Sequence, residues 1–215
     1  MSTKPNLILI TTDEQRFDAL GYYGNAAINT PNLDTLAQAG AYHPYTYTVN
    51  SVCMPARCSI LTGLYSHQHG IMNNRGDLNP HLPTLPQALQ KLDYHTALIG
   101  KEHFFEGFID LAQVSETTQS AFGFDTFWSV AGKSMIEGSK DEWTQYLDER
   151  GLYQKHMDDL FARMDMRREE ICEAGPFHLD EEHYVDYQVK EKSIQFLDQH
   201  NKDKPFFLWT SFCNP

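Results

Sequence analysis

Two short apolar runs, each broken off by a polar, charged cluster, constrain this chain more than any other feature. Asn6 to Thr12 reads NLILITT and gives way to Asp13-Glu14-Gln15-Arg16; Tyr94 to Gly100 reads YHTALIG and gives way to Lys101-Glu102-His103. Short aliphatic, β-branched runs of this kind are buried strands, and strands covered on both faces belong to parallel sheets. A third run, Pro205 to Ser211 (PFFLWTS), has the same character. Between the first two, Thr30 to Gly40 (TPNLDTLAQAG) predicts a short helix, with Thr30 as N-cap, Pro31 in the first turn and Gly40 as terminator. Thr84-Leu85-Pro86 repeats that opening. Ala41 to Val49 alternates Tyr and Thr, which predicts a strand that Pro44 confines to a sheet edge or interrupts.

The later part of the chain is different. From about Gly132 to Ala174 it is polar and charged, which predicts helices lying over the sheet. Glu182 to His200 predicts an amphipathic helix with Val185, Val189, Ile194 and Leu197 facing one core. The expected fold class is α/β: a mostly parallel sheet flanked by helices, with a helical excursion at about 132–200. Such folds bind ligands outside the carboxyl ends of their strands, which is where both charged clusters would lie.

Composition narrows the function classes. The 215 residues carry 17 Lys and Arg against 29 Asp and Glu, a net charge of −12, with 41% hydrophobic residues. That excludes a disordered, collagen-like or coiled-coil chain. Without Lys/Arg clusters nothing would neutralise phosphates, so neither nucleic acid nor an anionic membrane surface is expected as a partner. The opening apolar stretch, Leu7 to Ile10, is too short for a signal segment or a membrane span, so the expected compartment is the cytoplasm. Cys53, Cys58, Cys172 and Cys213 are irregularly spaced and read as free thiols. The strand-like run ending at Ser211 lies four residues from the terminus, so the chain is expected to be the N-terminal part of a longer protein, with its C-terminal portion absent.

The most specific stretch is Val52-Cys53-Met54-Pro55-Ala56-Arg57-Cys58-Ser59-Ile60-Leu61-Thr62-Gly63. Pro55 suits a helix first turn, which would put Cys53 at a helix N-terminus whose free N–H groups favour an anion. Arg57 would then offer its fork of donors to the same anion. Cys-x-Pro-x-Arg followed by Thr-Gly resembles the signature of the formylglycine-dependent sulfatases, members of the alkaline-phosphatase-like superfamily. The resemblance implies that Cys53 is oxidised to formylglycine by a formylglycine-generating enzyme that reads Cys53, Pro55 and Arg57. The hydrated aldehyde would attack sulfur with one hydroxyl and expel sulfate with the help of the other. Read alone, Cys53 is also what a small buried thiol looks like, and Cys58 reads as a buried helix residue.

Two further segments resemble the same family. Thr12-Asp13-Glu14-Gln15-Arg16 with Gly24-Asn25 is similar to its opening loop, which implies a divalent metal held by Asp13 and Glu14 and, once oxidised, by residue 53. Glu14 departs from the residues usual there, and alone Asp13-Glu14 also fits a solvated turn. Two carboxylates beside an anionic substrate call for a hard cation; all-oxygen ligation favours Ca²⁺ over Mg²⁺ or Mn²⁺. Gly100-Lys101-Glu102-His103 resembles the family's Gly-Lys-x-His element, which implies that Lys101 contacts sulfate oxygens and His103 steadies the diol. In an extended segment Lys101 and His103 would point the same way and Glu102 away from them. His67 and His69 are expected to be hydrogen-bonded rather than metal-bound. Ser211-Phe212-Cys213-Asn214-Pro215 is similar to a segment that leads, in the family, to a proton-donating histidine beyond this chain.

The resulting expectation is a sulfuric ester hydrolase acting on a small sulfate monoester, with Cys53, Arg57, Lys101 and His103 as catalytic residues. A phosphonate monoester or phosphodiester hydrolase of the same superfamily and a non-catalytic fragment of the fold are the alternatives. Little activity is expected of the isolated 215 residues. Exposed apolar surface and self-association through it are expected instead.

Overall fold

A computed structural model describes residues 4–106, 121–132, 141–168 and 177–215. Four strands, β1 (Leu7–Thr11), β2 (His95–Lys101), β3 (Thr126–Val130) and β4 (Phe206–Ser211), form one sheet in the order β1-β4-β2-β3. Every pairing is parallel. The register sets Thr11 opposite Ser211, Ser211 opposite Gly100, and Lys101 opposite Val130, so all four strands end along one line.

Among the described residues, seven α-helices accompany the strands: α1 (Pro31–Ala39), α2 (Cys53–Thr62), α3 (Ser66–His69), α4 (Leu85–Gln90), α5 (Glu142–Asp148), α6 (Tyr153–Arg168) and α7 (Val185–Gln199). The described part of the predicted excursion is therefore helical; 133–140 and 169–176, with Cys172, lie outside the described residues. No helix among the described residues is long and apolar enough to cross a membrane.

The period-two alternation of β2 and β4 divides the core into two layers. Ala97, Ile99, Phe206 and Leu208 face Trp143, Leu147, Val185 and Val189 of α5 and α7. Leu98, Phe207 and Trp209 face Met54, Cys58 and Leu61 of α2, with Phe104 and Phe122. Filling both faces of the central strands is what fixes α2, and with it the Cys53–Arg57 segment, against the sheet.

Three expectations are corrected. Ala41 to Val49 forms no strand: Pro44 has no N–H to give a ladder, and Tyr45 and Tyr47 are 84% and 82% exposed. β1 is not buried on both faces; it pairs with β4 alone, and Ile8 and Ile10 are 52% and 57% exposed. In α7 the inward face is Val185, Val189, Ser193 and Phe196, while Ile194 and Leu197 are exposed. Ser193 is accommodated because its hydroxyl donates to Val189 O at 2.8 Å and receives Thr210 Oγ1 at 3.0 Å.

The capping expectations divide. Thr84 closes a capping box with Gln87. Thr30 stands at the start of α1 but does not cap it: its hydroxyl donates to Asp34 Oδ1 at 2.8 Å and accepts Gly21 N at 2.9 Å. Apolar surface is exposed as expected, on β1 and on α1, where Leu36 is 64% exposed.

Gly100 is the tightest point of the sheet. Its φ is +113°, and a Cβ there would lie 1.9 Å from Ser211 O. Gly100→Ala is expected to cost at least about 2 kcal/mol, through backbone strain and displacement of β4. Urea denaturation of the full-length protein measures this; a loss below roughly 0.5 kcal/mol would show that the two strands do not need their close approach.

Candidate active site

The carboxyl ends of β1, β2 and β4 meet the N-terminus of α2, and most of the sequence-predicted residues lie at that junction. Val52 precedes α2 in an extended conformation without a side-chain cap. Asn50 Oδ1 accepts Val52 N at 2.9 Å and turns the chain into the helix, while Asn50 Nδ2 reaches Ser66 Oγ of α3 at 3.2 Å. Cys53 is the first helical residue and half-buried, with Pro55 in the first turn, as the motif predicts. Arg57 follows one turn later on the same face. Cys58 is fully buried, and burial pushes its thiol up to about 12, which leaves it inert as a nucleophile.

Arg57 ties the junction together. Its Nη1 donates to Lys101 O at 2.7 Å and to Ser211 Oγ at 2.5 Å, and its Nη2 lies 3.8 Å from Asp13 Oδ1. Ser211 Oγ in turn donates to Lys101 O at 2.7 Å and accepts from Thr11 Oγ1 at 3.2 Å. Lys101 Nζ donates to Asp13 Oδ2. Asp13, Arg57 and Lys101 are all buried. Gly132, with φ +98°, lets the lysine stem pass: a Cβ there would lie 3.2 Å from Lys101 Cε. Burial draws the Arg57 guanidinium below its ordinary value and the Asp13 charge opposes that, yet an arginine stays charged.

The Lys101–His103 segment is not extended as expected. β2 ends at Lys101, and His103 has φ +59°, so the alternation that would point Glu102 away is broken. Glu102 is instead 3% exposed. Burial raises its carboxyl to about 8, against the opposing pull of Ser129 and Arg57, and Oε2 has no hydrogen-bond partner among the described residues. Burial, with the nearby charges of Lys101 and Arg57, lowers His103 to about 4. At neutral pH Glu102 and His103 are thus both uncharged. Two buried cations, Arg57 and Lys101, then stand against the carboxylate of Asp13, with Glu14 beside it on the cleft wall.

A cleft of about 630 Å³ opens at this junction, walled by Asp13, Glu14, Asn50, Cys53, Arg57 and Asn74 among others. Lys101 and His103 do not form its wall; Lys101 reaches it through Asp13. Glu14 lies beside Asp13 on an exposed turn with φ +56°. His69 is buried: Ile71 N donates to its Nδ1 at 3.2 Å, so Nε2 carries the proton shared with Ser59 Oγ at 3.0 Å. Both ring nitrogens are committed to protein partners, whereas His67 is exposed and stacked on Tyr65.

Three contributors escaped sequence reasoning. Ser211 closes the Arg57 network. Asp186, in the first turn of α7, accepts Cys213 N and Asn214 Nδ2, each at 2.7 Å, and fixes the segment whose Asn214 O receives Asp13 N at 3.3 Å. Asn74 Oδ1 accepts Met54 N at 3.1 Å and lies 3.5 Å from Cys53 Sγ. Only the Asn-rich stretch Met72-Asn73-Asn74-Arg75-Gly76, set between two elements, signalled anything unusual there.

The fold and the junction define an α/β protein with a polar cleft at the carboxyl edge of a parallel sheet. The chain belongs to the sulfatase family, whose family model matches residues 5–215. It is similar to an N-acetylglucosamine-6-O-sulfatase of Bacteroides thetaiotaomicron, 31% identical over 205 residues, covering 95% of this chain and 29% of that protein. It is also similar to an arylsulfatase of Clostridium perfringens, 29% identical over 227 residues, covering 99% of this chain and 43% of that protein. The chain therefore spans less than half the length of these relatives. Among solved structures, one of a protein in complex with its substrate D-glucosamine-2-N,6-O-disulfate superposes with a TM-score of 0.67 at 26% identity, covering 99% of this chain and 35% of that one. A phosphonate monoester hydrolase of Agrobacterium radiobacter superposes with a TM-score of 0.68 at 21% identity, over 99% of this chain and 41% of that one, a likeness of fold.

The buried Glu102 generates a prediction. Its value near 8 in the folded protein exceeds the ordinary 4.5. The folded state thus holds a proton that the unfolded chain releases from about pH 4.5 upward, so this group favours folding at low pH and loses that contribution as pH rises through 8. Glu102→Gln, neutral throughout, removes the dependence. Thermal unfolding of the full-length variant relative to wild type is expected to shift in the variant's favour, on the order of 5 °C, between pH 5.5 and pH 8.5. Parallel pH profiles would contradict a neutral buried Glu102.

Proposed function

We propose that the full-length protein hydrolyses a small sulfate monoester to an alcohol and inorganic sulfate, with residue 53 as nucleophile. The observation that carries this reading is the convergence of Cys53, at the N-terminus of α2, with Asp13 and Arg57 on the wall of one cleft, Lys101 standing behind Asp13. Oxidised to formylglycine by a dedicated maturation enzyme, residue 53 would present a geminal diol, one hydroxyl of which attacks sulfur while the other enables later expulsion of sulfate.

The roles proposed for the other residues rest on the family resemblance together with their hydrogen bonds. Arg57 is anchored through Nη1 to Lys101 O and Ser211, leaving its remaining donors for oxygens of the transferred group. Lys101 adds a second positive charge from beneath Asp13. For His103, uncharged at neutral pH and outside the cleft wall, the family resemblance alone supports a hydrogen bond to the nucleophile. Departure of the alcohol breaks its S–O bond as the new O–S bond forms and requires a proton, for which a donor outside these 215 residues is proposed.

A divalent cation belongs to the proposal. Asp13 and Glu14 are adjacent carboxylates at the rim of the cleft and fit a hard cation in donor type, Ca²⁺ ahead of Mg²⁺ or Mn²⁺. They fit only part of a shell, since no group of three or more His, Cys, Asp or Glu among the described residues is placed to hold a metal. When bound, such an ion supplies Lewis-acid polarisation of a sulfate oxygen. The sulfated sugars and aryl sulfates named for the relatives support an ester of a sugar or aromatic alcohol.

Initial rates of the mature full-length protein on an aryl sulfate and the matching aryl phosphonate test the reading. kcat/KM is expected to favour the sulfate by at least about tenfold, Cys53→Ala to lower kcat at least about 10³-fold, and Arg57→Ala to lower kcat/KM about 10²-fold. Preference for the phosphonate would move the activity to phosphorus chemistry; undiminished turnover by Cys53→Ala would remove residue 53 from the mechanism.

A further inference from the structure

We propose that Asn74 is a positioning residue for the nucleophile at position 53. The inference rests on the reading of residue 53 given above, and it starts from two contacts of one atom: Asn74 Oδ1 lies 3.1 Å from Met54 N and 3.5 Å from Cys53 Sγ. Both neighbours are donors. That settles the orientation of the amide, because a nitrogen in place of Oδ1 would confront an N–H.

Asn74 is not held there by packing. It is exposed, it lies 20 residues from Met54 in sequence, and it forms part of the cleft wall together with Cys53, Arg57 and Asp13. Its first contact does what the helix cannot do for itself. Val52 offers no side-chain cap and Pro55 has no N–H, so the Met54 amide finds its acceptor in another loop. The second contact goes beyond capping. It ties the group on Cβ of residue 53 to the same oxygen and so couples that side chain's rotamer to the helix backbone.

The chemistry of the carboxamide fits this task. Its oxygen accepts a hydrogen bond from a thiol or a hydroxyl but cannot remove a proton at neutral pH, so it orients the donor without acting as a base. It also carries no charge. An aspartate would satisfy both contacts, and would suit a helix N-terminus better, but would place a negative charge where an anionic substrate must enter. An amide oxygen therefore meets the needs of the helix, the nucleophile and the substrate together.

The test uses the full-length protein with Asn74→Ala and Asn74→Asp. The first readout needs no turnover: protein produced without the maturation enzyme is treated with iodoacetamide at fixed pH, and alkylation of Cys53 is followed by peptide mass. The contact holds the thiol against Asn74 Oδ1, so Asn74→Ala, which frees it, is expected to react roughly 3- to 10-fold faster, and Asn74→Asp, a stronger acceptor, more slowly than wild type. In mature protein, Asn74→Ala is expected to lower kcat about 10- to 100-fold with KM within roughly threefold. Asn74→Asp is expected to keep the wild-type melting temperature while raising KM at least about fivefold.

Alkylation rates equal to wild type in both variants would overturn the proposal. So would an Asn74→Ala protein that melts lower but keeps its kcat, since Asn74 would then serve only as a cap. Altered alkylation in an otherwise well-folded protein that hydrolyses no sulfate ester would uphold the contact with residue 53 and overturn the sulfatase reading instead.

Discussion

The buried contact between Lys101 and Asp13, with Arg57 beside it, is the interaction on which the rest of the site depends. Removing charged groups from water costs several kcal/mol each, and their mutual attraction repays this only when the remaining donors and acceptors are satisfied. Here that is met in part, through the main chain. Arg57 and Ser211 both donate to the main-chain carbonyl of Lys101, so the strand that carries one cation is hydrogen-bonded to the other. Two groups that could upset the charge balance are kept neutral by burial: Glu102 with its carboxyl at about 8 and His103 with its imidazole at about 4. The outcome is a pair of buried cations, Arg57 and Lys101, held at one junction in a chain of net charge −12.

The architecture serves that contact. Asp13 follows β1, Lys101 ends β2 and Ser211 ends β4, and the parallel register draws the three to one line. Arg57 arrives from α2, which is held by Met54, Cys58 and Leu61 against Leu98, Phe207 and Trp209. The absence of a side chain at Gly100 lets Ser211 close on β2. A single polar junction thus draws on three strand ends and one helix, and the hydrophobic layer beneath α2 sets its dimensions.

What could be read from the sequence divides along physical lines. Local signals were legible: the run before Lys101 became β2, and the Thr84 opening became a capping box, because each depends on neighbours a few residues away. Signals that depend on distant partners were not. β1 reads as buried, but only the sheet order shows that it lies at an edge with Ile8 and Ile10 uncovered. In α7 the inward stripe passes through Ser193, polar and invisible to a hydrophobic pattern, because its hydroxyl is satisfied within the helix and by Thr210. Cys53, Arg57 and Asp13 announced themselves by motif. Ser211, Asp186 and Asn74 act across 154, 27 or 28, and 20 to 21 positions respectively, and no spacing rule reaches them.

The central claim, that the residue at position 53 is the nucleophile and not a packing thiol, is tested most directly by weighing it. Full-length protein produced with a formylglycine-generating enzyme should yield a peptide spanning residue 53 that is lighter by about 18 Da, the change from CH₂SH to an aldehyde, whereas ordinary thiol oxidation adds mass. An unaltered thiol, in a preparation where a control sulfatase is converted, would contradict the account and leave Cys53 as a residue that merely begins a helix.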